Sequence, residues 1–448
     1  MKKKLKKSLL TIAVAITLSF ALMFSALAVS FEHLANDLND LGLFQGTDIG
    51  YELDRAPSRA EALAMMIRFL GLAEAAYEGD YEHPFTDVPN WAEDYVAYAY
   101  EYELTRGMSE TLFGPAVVCT ARMYVTFLLR ALGYSDETGG DFAYLESIEF
   151  AKDVGIIDEL LATAPFLRDE MVAVSFIALG VAPKDSDFDT LLEKLIDDGA
   201  VDEAAAAAIL ERFAVYNEFV LLSAEFDEET SIAMVATIEI DMGILGSVTM
   251  DMEMNMVMDG TDILAEISTV MEMAGEEITA RMYISDGYIY IDDGTDKIKM
   301  DAGLADLDEL FSMAEMGALA LNPIYFITDI TKITEDDLTV YTVKFADSFM
   351  DVIFGLAVGM MGDAAIDLGE LEGMAITIPE MRYYADDDGA LVKMAIVMGM
   401  TVEGVTMTMS MEIEITATGD DVTVTLPDDL DDFVLVDPDA LTGEEDEE

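Results

Sequence analysis

The chain has 448 residues, with 90 Asp and Glu against 23 Lys and Arg and a net charge of −67. A field of that sign repels nucleic acid and anionic lipid headgroups, which makes both poor partners. One cysteine, Cys119, excludes a disulfide framework within the chain, and the length allows two or three domains.

Residues 1–28 read as a signal peptide. Lys2, Lys3, Lys4, Lys6 and Lys7 open it, Leu9 to Phe24 is apolar, and Ala26-Leu27-Ala28 places small residues at the cleavage position. The alternative is an uncleaved anchor, because the apolar stretch is nearly long enough to span a bilayer. Beyond Ala28 no second stretch of 18 apolar residues occurs, so no membrane span is expected after cleavage. All five lysines leave with the leader and no acid does, so the mature chain is more acidic still.

Residues 29–74 form a first helical unit. Ser58-Arg59-Ala60-Glu61 is a helix start, with Ser58 as N-cap and Glu61 at its third position. Leu63, Met66, Ile67 and Leu70 share one face and Gly71 stops the helix. A second unit, 84–135, opens on Phe85-Thr86-Asp87-Val88-Pro89-Asn90-Trp91. It then carries an apolar-periodic run, Phe113-Gly114-Pro115, and a helix ending at Gly133. A third, 141–183, keeps Leu167-Arg168-Asp169-Glu170 and Ala178-Leu179-Gly180 but lacks the Asp–Trp opening. Gly71, Gly133 and Gly180 each lie 13 residues beyond a helix start, Ser58, Thr120 and Leu167, an internal repeat of about 50 residues.

These motifs resemble the S-layer homology (SLH) family, which attaches proteins to bacterial cell walls. The resemblance implies an all-α three-repeat bundle binding an anionic, often pyruvylated, secondary cell-wall polysaccharide. It implies binding roles for Arg59, Glu61, Arg168 and Glu170, which match the family's Thr-Arg-Ala-Glu motif. Arg122 lies one place late in that motif and Met123 replaces its Glu. Asp87 and Trp91 match the family's opening, which gives the Asp a helix-capping role and the Trp a place in groove or core. Read from chemistry alone, an arginine fork beside unpaired helix N–H groups suits an acidic sugar, while surface ion pairing is the plain alternative.

Residues 186–213 read as a helical connector, with an alanine run at 204–208. From about 217 to 435 the period changes to two. Met250, Met252, Met254, Met256 and Met258 alternate with polar residues, as do Met407, Met409, Met411, Ile413 and Ile415. Asp286-Gly287, Asp293-Gly294 and Asp386 to Gly389 signal hairpins. Helices are expected over Leu304–Met316 and Phe349–Met361, and residues 436–448 form an acidic tail.

The fold class expected is therefore multidomain: an all-α bundle followed by an α+β domain with a large, curved, antiparallel sheet. Ile232 onward holds 24 of the 31 methionines, an unusual choice where Val and Ile favour strands. The arrangement resembles LolA/LppX-like half-barrel lipoprotein carriers, which implies a lipid or apolar ligand on the concave face. A plain structural core is the competing reading.

No nucleophile motif, P-loop or dinucleotide fingerprint occurs, and the β region has neither His nor Cys, so no enzyme, cofactor or metal site is expected. The expectation is a secreted protein held at the cell wall or S-layer surface through its repeats, with a ligand-binding β domain. A purely structural envelope protein is the alternative, and a wall-polymer hydrolase a distant one.

Overall fold

A computed structural model describes residues 30–436 except 48, 163, 226–230, 242, 244–245, 260–261, 274–275, 302–322, 347, 350–374 and 403–404. The leader, the acidic tail beyond Val436, the helix expected at Leu304–Met316 and nearly all of that expected at Phe349–Met361 lie outside the described residues. The chain forms two compact units, Ser30–Ala214 with Ile324–Phe326, and Val215–Pro323 with the chain from Ile327 onward.

The first unit is helical. Its helices are α1 (Glu32–Asp40), α2 (Arg59–Phe69), α3 (Ala73–Glu78), α4 (Glu93–Glu101), α5 (Ala121–Ala131), α6 (Ser147–Asp153), α7 (Arg168–Leu179) and α8 (Leu191–Asp197). A further helix, α9 (Glu203–Phe219), begins in it. The connector is thus two helices broken at Gly199, whose φ is +75°, and the second runs to Phe219, past the expected start of the β region.

Helix starts follow local chemistry. Ser58 Oγ accepts the Glu61 N–H at 3.3 Å and Glu61 Oε2 accepts the Ser58 N–H at 2.8 Å, a complete capping box. Thr120 caps α5 through the Met123 N–H, and Thr190 with Glu193 boxes α8. The α7 start keeps half a box: Glu170 Oε2 accepts the Leu167 N–H at 2.7 Å.

The apolar faces of these helices close over Leu34, Leu38, Leu63, Met66, Ile67, Tyr124, Phe127, Val172 and Phe176, all essentially sealed from water. At about 25 cal/mol per Å² such burial is the main force holding the unit. Ile324–Phe326 belongs to this core: the Phe31 ring meets Tyr325 edge-on at 5.5 Å, and Tyr325 Oη donates to Asp158 at 2.5 Å.

Among the described residues the second unit forms one open sheet of 12 strands. Its long central strands are β1 (Ile232–Asp241), β2 (Ser247–Asp259), β3 (Asp262–Met273), β10 (Leu391–Val402) and β11 (Val405–Thr418). Around them lie β4 (Glu276–Ser285), β5 (Tyr288–Asp292), β6 (Lys297–Asp301), β7 (Ile327–Glu335), β8 (Leu338–Phe345), β9 (Ala375–Ala385) and β12 (Val434–Leu435). Across the sheet the order is β12-β6-β5-β4-β3-β2-β1-β11-β10-β9-β8-β7. Hairpins turn at Gly287, Gly294 and Gly389, each with φ above +70°, as the Asp-Gly signals require. One part of the expectation is corrected. The sheet is mixed, because β12 pairs parallel with β6, where the last described stretch of chain returns to the sheet's margin.

Pairing puts the methionines in register across one face. Met254 stands opposite Met234 and Ile267, Met250 opposite Ile238 and Met271, and Ile238 opposite Met411. Ile238, Val248, Met250, Met271 and Met411 are buried together. The other face is mostly acidic and polar along β1, β2, β3 and β11, and at β4 and β5 Tyr283 and Tyr290 occupy it. Phe433, Leu426 and Leu430 from the chain after β11 cover those two rings.

Candidate functional site

The residues matching the SLH motif fall at junctions between helical segments. Arg59, the first residue of α2, is 7% exposed. Its Nε donates to the Phe113 carbonyl at 3.1 Å and an Nη to Thr105 Oγ1 at 3.3 Å, and its guanidinium lies over the rings of Phe113 and Phe127. The backbone follows: Arg59 N–H donates to Val117 at 2.7 Å and Cys119 N–H to Pro57 at 2.8 Å.

Arg168, the first residue of α7, is 4% exposed and repeats this pattern one junction on. Its Nε donates to the Tyr51 carbonyl at 2.8 Å, its guanidinium covers the Phe44 ring, and its own N–H reaches Arg55 O. Arg122, the second residue of α5, donates to the carbonyls of Tyr144 and Leu145. The three contacts run in a circle: the α2 start holds the loop before α5, the α5 start holds the segment before α6, and the α7 start holds the loop before α2.

Glu61 and Glu170 are helix-cap carboxylates. Glu61 is also gripped by the fork of Arg55 at 2.8 and 3.1 Å. Burial works against its charge, but Arg55 and the Ser58 N–H hold its carboxyl down at about 2.

The capping role that the resemblance implies for Asp87 is corrected. Helix α4 begins at Glu93 without a side-chain cap. Asp87 instead accepts the N–H groups of Phe113 and Gly114 at 2.8 and 2.9 Å, and these hold its carboxyl low against desolvation. It ties the opening of the segment to its Phe-Gly-Pro loop. Trp91 is 52% exposed, outside the core.

Sequence reasoning passed over Asp169. It is buried, and its Oδ1 accepts the Phe31 N–H at 2.8 Å. Burial pushes its carboxyl up to about 7. Near the same end of α1, burial pulls His33 down to about 4, opposed by Asp37. No pattern in the sequence marks either, since both shifts come from tertiary enclosure. Also passed over was a tyrosine cluster, Tyr77, Tyr81, Tyr95, Tyr98 and Tyr102, although the last three recur at helical spacing.

On the sheet, Met234, Met252, Met254, Met282, Met398 and Met409 are partly buried along the apolar face. Among the described residues no group of three or more His, Cys, Asp or Glu could hold a metal ion, and no helix is long and apolar enough to cross a membrane.

Comparison with known proteins divides the chain along the same lines. The S-layer homology domain model matches residues 84–120, and a family of unknown function, DUF6612, matches residues 223–428. The chain carries an SLH domain. The middle cell wall protein of Brevibacillus brevis is 30% identical over 150 residues, 31% of this chain and 14% of that protein. The chain spans less than a quarter of the length of the curated relatives it matches. Among solved structures, LprF from Mycobacterium bovis aligns over 47% of this chain and 96% of its own, at 15% identity and a TM-score of 0.26. A LolA superfamily protein from Nitrosomonas europaea aligns over 48% and 96%, at 8% identity and a TM-score of 0.18.

Proposed function

We propose that this is a non-enzymatic surface protein whose helical unit holds the cell-wall polysaccharide and whose sheet presents an apolar binding face. The SLH domain and the surface-protein relatives indicate a secreted protein on the cell wall surface. The finer reading is ours: three repeats, 29–74, 84–135 and 141–183, closed into one bundle. The circle of arginine-to-carbonyl contacts supports it.

Within that bundle, Arg59 and Arg168 are enclosed and fix the loops, with Glu61, Glu170 and Asp87 as caps and ties. Polymer contact then falls to groups at the surface. Trp91 offers a ring face to sugars, and Arg122, at the edge of its junction, a guanidinium to an acidic substituent. Wild-type chain is expected to co-sediment with purified walls, and Trp91→Ala with Arg122→Gln to weaken this at least tenfold while leaving thermal unfolding within a few degrees. Undiminished sedimentation of that double variant would remove both residues from the site.

One observation favours a ligand for the sheet over a plain core: the methionine row is in register across β1, β2, β10 and β11, and away from its buried centre at Met250 and Met411 the members Met234, Met252, Met254, Met398 and Met409 are only partly buried. Unbranched thioether side chains adapt to varied apolar partners. Native mass spectrometry of protein purified from its own host should show bound lipid-sized mass. A clean apo spectrum, with no uptake of a fluorescent fatty acid by delipidated protein, favours the purely structural envelope protein.

A further inference from the structure

The tyrosine cluster of the helical unit is a built surface without an assigned role. Tyr95 and Tyr98 lie along one side of α4 and Tyr102, the residue at its C-terminal cap, continues that side, at spacings of three and four. Tyr77, from α3, meets Tyr95 edge-on at 5.1 Å. Tyr81 meets Tyr98 at 5.3 Å and Tyr102 at 5.8 Å, and Tyr98 meets Tyr102 at 4.5 Å.

The phenols are tied in two pairs. Tyr77 Oη donates to Tyr95 Oη at 2.6 Å, and a hydrogen bond with Tyr102, with smaller help from burial and nearby phenols, pushes Tyr81 up to about 12. The rings are thus held in place before any ligand arrives, which lowers the ordering cost of binding. Tyr95 and Tyr98 form the buried floor, while Tyr77 and Tyr102 are each 54% exposed.

Charge selects what such a surface accepts. Between Arg68 and Arg106 the sequence has nine Asp and Glu and neither Lys nor Arg. Glu78, Asp80, Glu82, Glu101 and Glu103 directly flank the outer tyrosines and are exposed. The acidic rim repels the anionic substituents for which Arg122 is suited and concentrates cations. Tyrosine faces attract cations through the ring quadrupole. The cluster already holds one in this way: Arg68 lies over the Tyr95 ring at 5.2 Å and its Nε donates to Tyr95 Oη at 2.9 Å.

We infer that the Tyr77–Tyr81–Tyr102 surface binds an amine-bearing sugar ring, a hexosamine whose nitrogen is not acetylated. This rests on the wall-polymer reading above and adds a second contact of opposite charge preference. The pyranose stacks on the exposed rings and the ammonium faces the carboxylate rim.

The test titrates the full chain with glucosamine tetramer and with N-acetylglucosamine tetramer, following tyrosine fluorescence and heat. The amine form is expected to bind at least tenfold more tightly, and more weakly as salt rises. Tyr77→Ala with Tyr102→Ala should lose that binding at least tenfold. Glu101→Gln with Glu103→Gln, which keeps every ring, should lose several-fold for the amine form and nothing for the acetylated one. Equal binding of the two sugars, binding of neither, or amine binding unchanged in both variants overturns the inference. Wall co-sedimentation run alongside separates the two readings: walls bound without amine-sugar binding leaves the anchor standing and removes this site.

Discussion

Arg168→Ala is expected to destabilise the helical unit by about 2–4 kcal/mol, read from urea unfolding. The Tyr51 carbonyl loses a donor at 2.8 Å, the Phe44 ring loses its cation, and the side chain leaves a gap in a site only 4% exposed. Arg168→Lys should recover less than half of the loss. A compact ammonium can reach one acceptor but cannot also lie flat over a ring as a guanidinium does. Arg59→Ala should behave alike, since Phe113 O and Thr105 Oγ1 depend on it in the same way. Loss of wall binding by either variant with unchanged unfolding would show instead that these guanidinium groups meet polymer directly.

Acid stability offers the second large effect, because two buried groups titrate in opposition. Asp169 has its native pKa raised to about 7 from 3.8, so the native state holds the proton more tightly. Its contribution is fully present below pH 3.8 and is lost as pH rises through 7. His33 has its native pKa lowered to about 4 from 6.5, so its contribution is present above pH 6.5 and is lost as pH falls through 4. At 1.36 kcal/mol per unit these are about 4 and 3 kcal/mol at most. Between pH 4 and 6.5 the two slopes have opposite signs and largely cancel.

Asp169→Asn keeps an acceptor for the Phe31 N–H and removes one slope. Wild type should therefore show little change from this pair between pH 6.5 and 4. The variant should lose about 3 kcal/mol over the same range, from His33 alone. At pH 8 the variant should be the more stable by roughly 2 kcal/mol, since no buried carboxylate remains to be charged. Parallel pH curves for the two proteins would refute this assignment.

Much of the fold is local and so could be read from the chain. Ser58 and Glu61 cap because a hydroxyl and a carboxylate three residues apart reach each other's N–H groups in any helix start. The Met250 to Met258 alternation gives β2 because side chains on a strand change face at every residue. What escaped reading depends on residues far apart in sequence. Tyr325 enters the helical core 167 positions after its partner Asp158. Tyr283 and Tyr290 occupy the polar face because a later stretch of chain lies over them.

The site shows the same division. The motif located Arg59 and Arg168 at helix starts, but enclosure by the next loop, which decides whether a guanidinium meets solvent, is not written in four residues. Asp87 was placed by its motif yet serves a loop 26 residues on. Nothing near it in sequence could have indicated that partner.

The circular order of the arginine contacts bears on how the helical unit comes apart. In an open array each member leans only on its neighbours, so an end can fray while the rest persists. Here the last start, at Arg168, grips the loop at Tyr51 beside the first, joining positions 117 residues apart. Removing either enclosed junction, at Arg59 or Arg168, then leaves both segments beside it short of a partner, and partial unfolding has no free end from which to begin. Such a unit resists stepwise peeling by force or protease and yields as a whole, which would suit the anchoring role proposed for it.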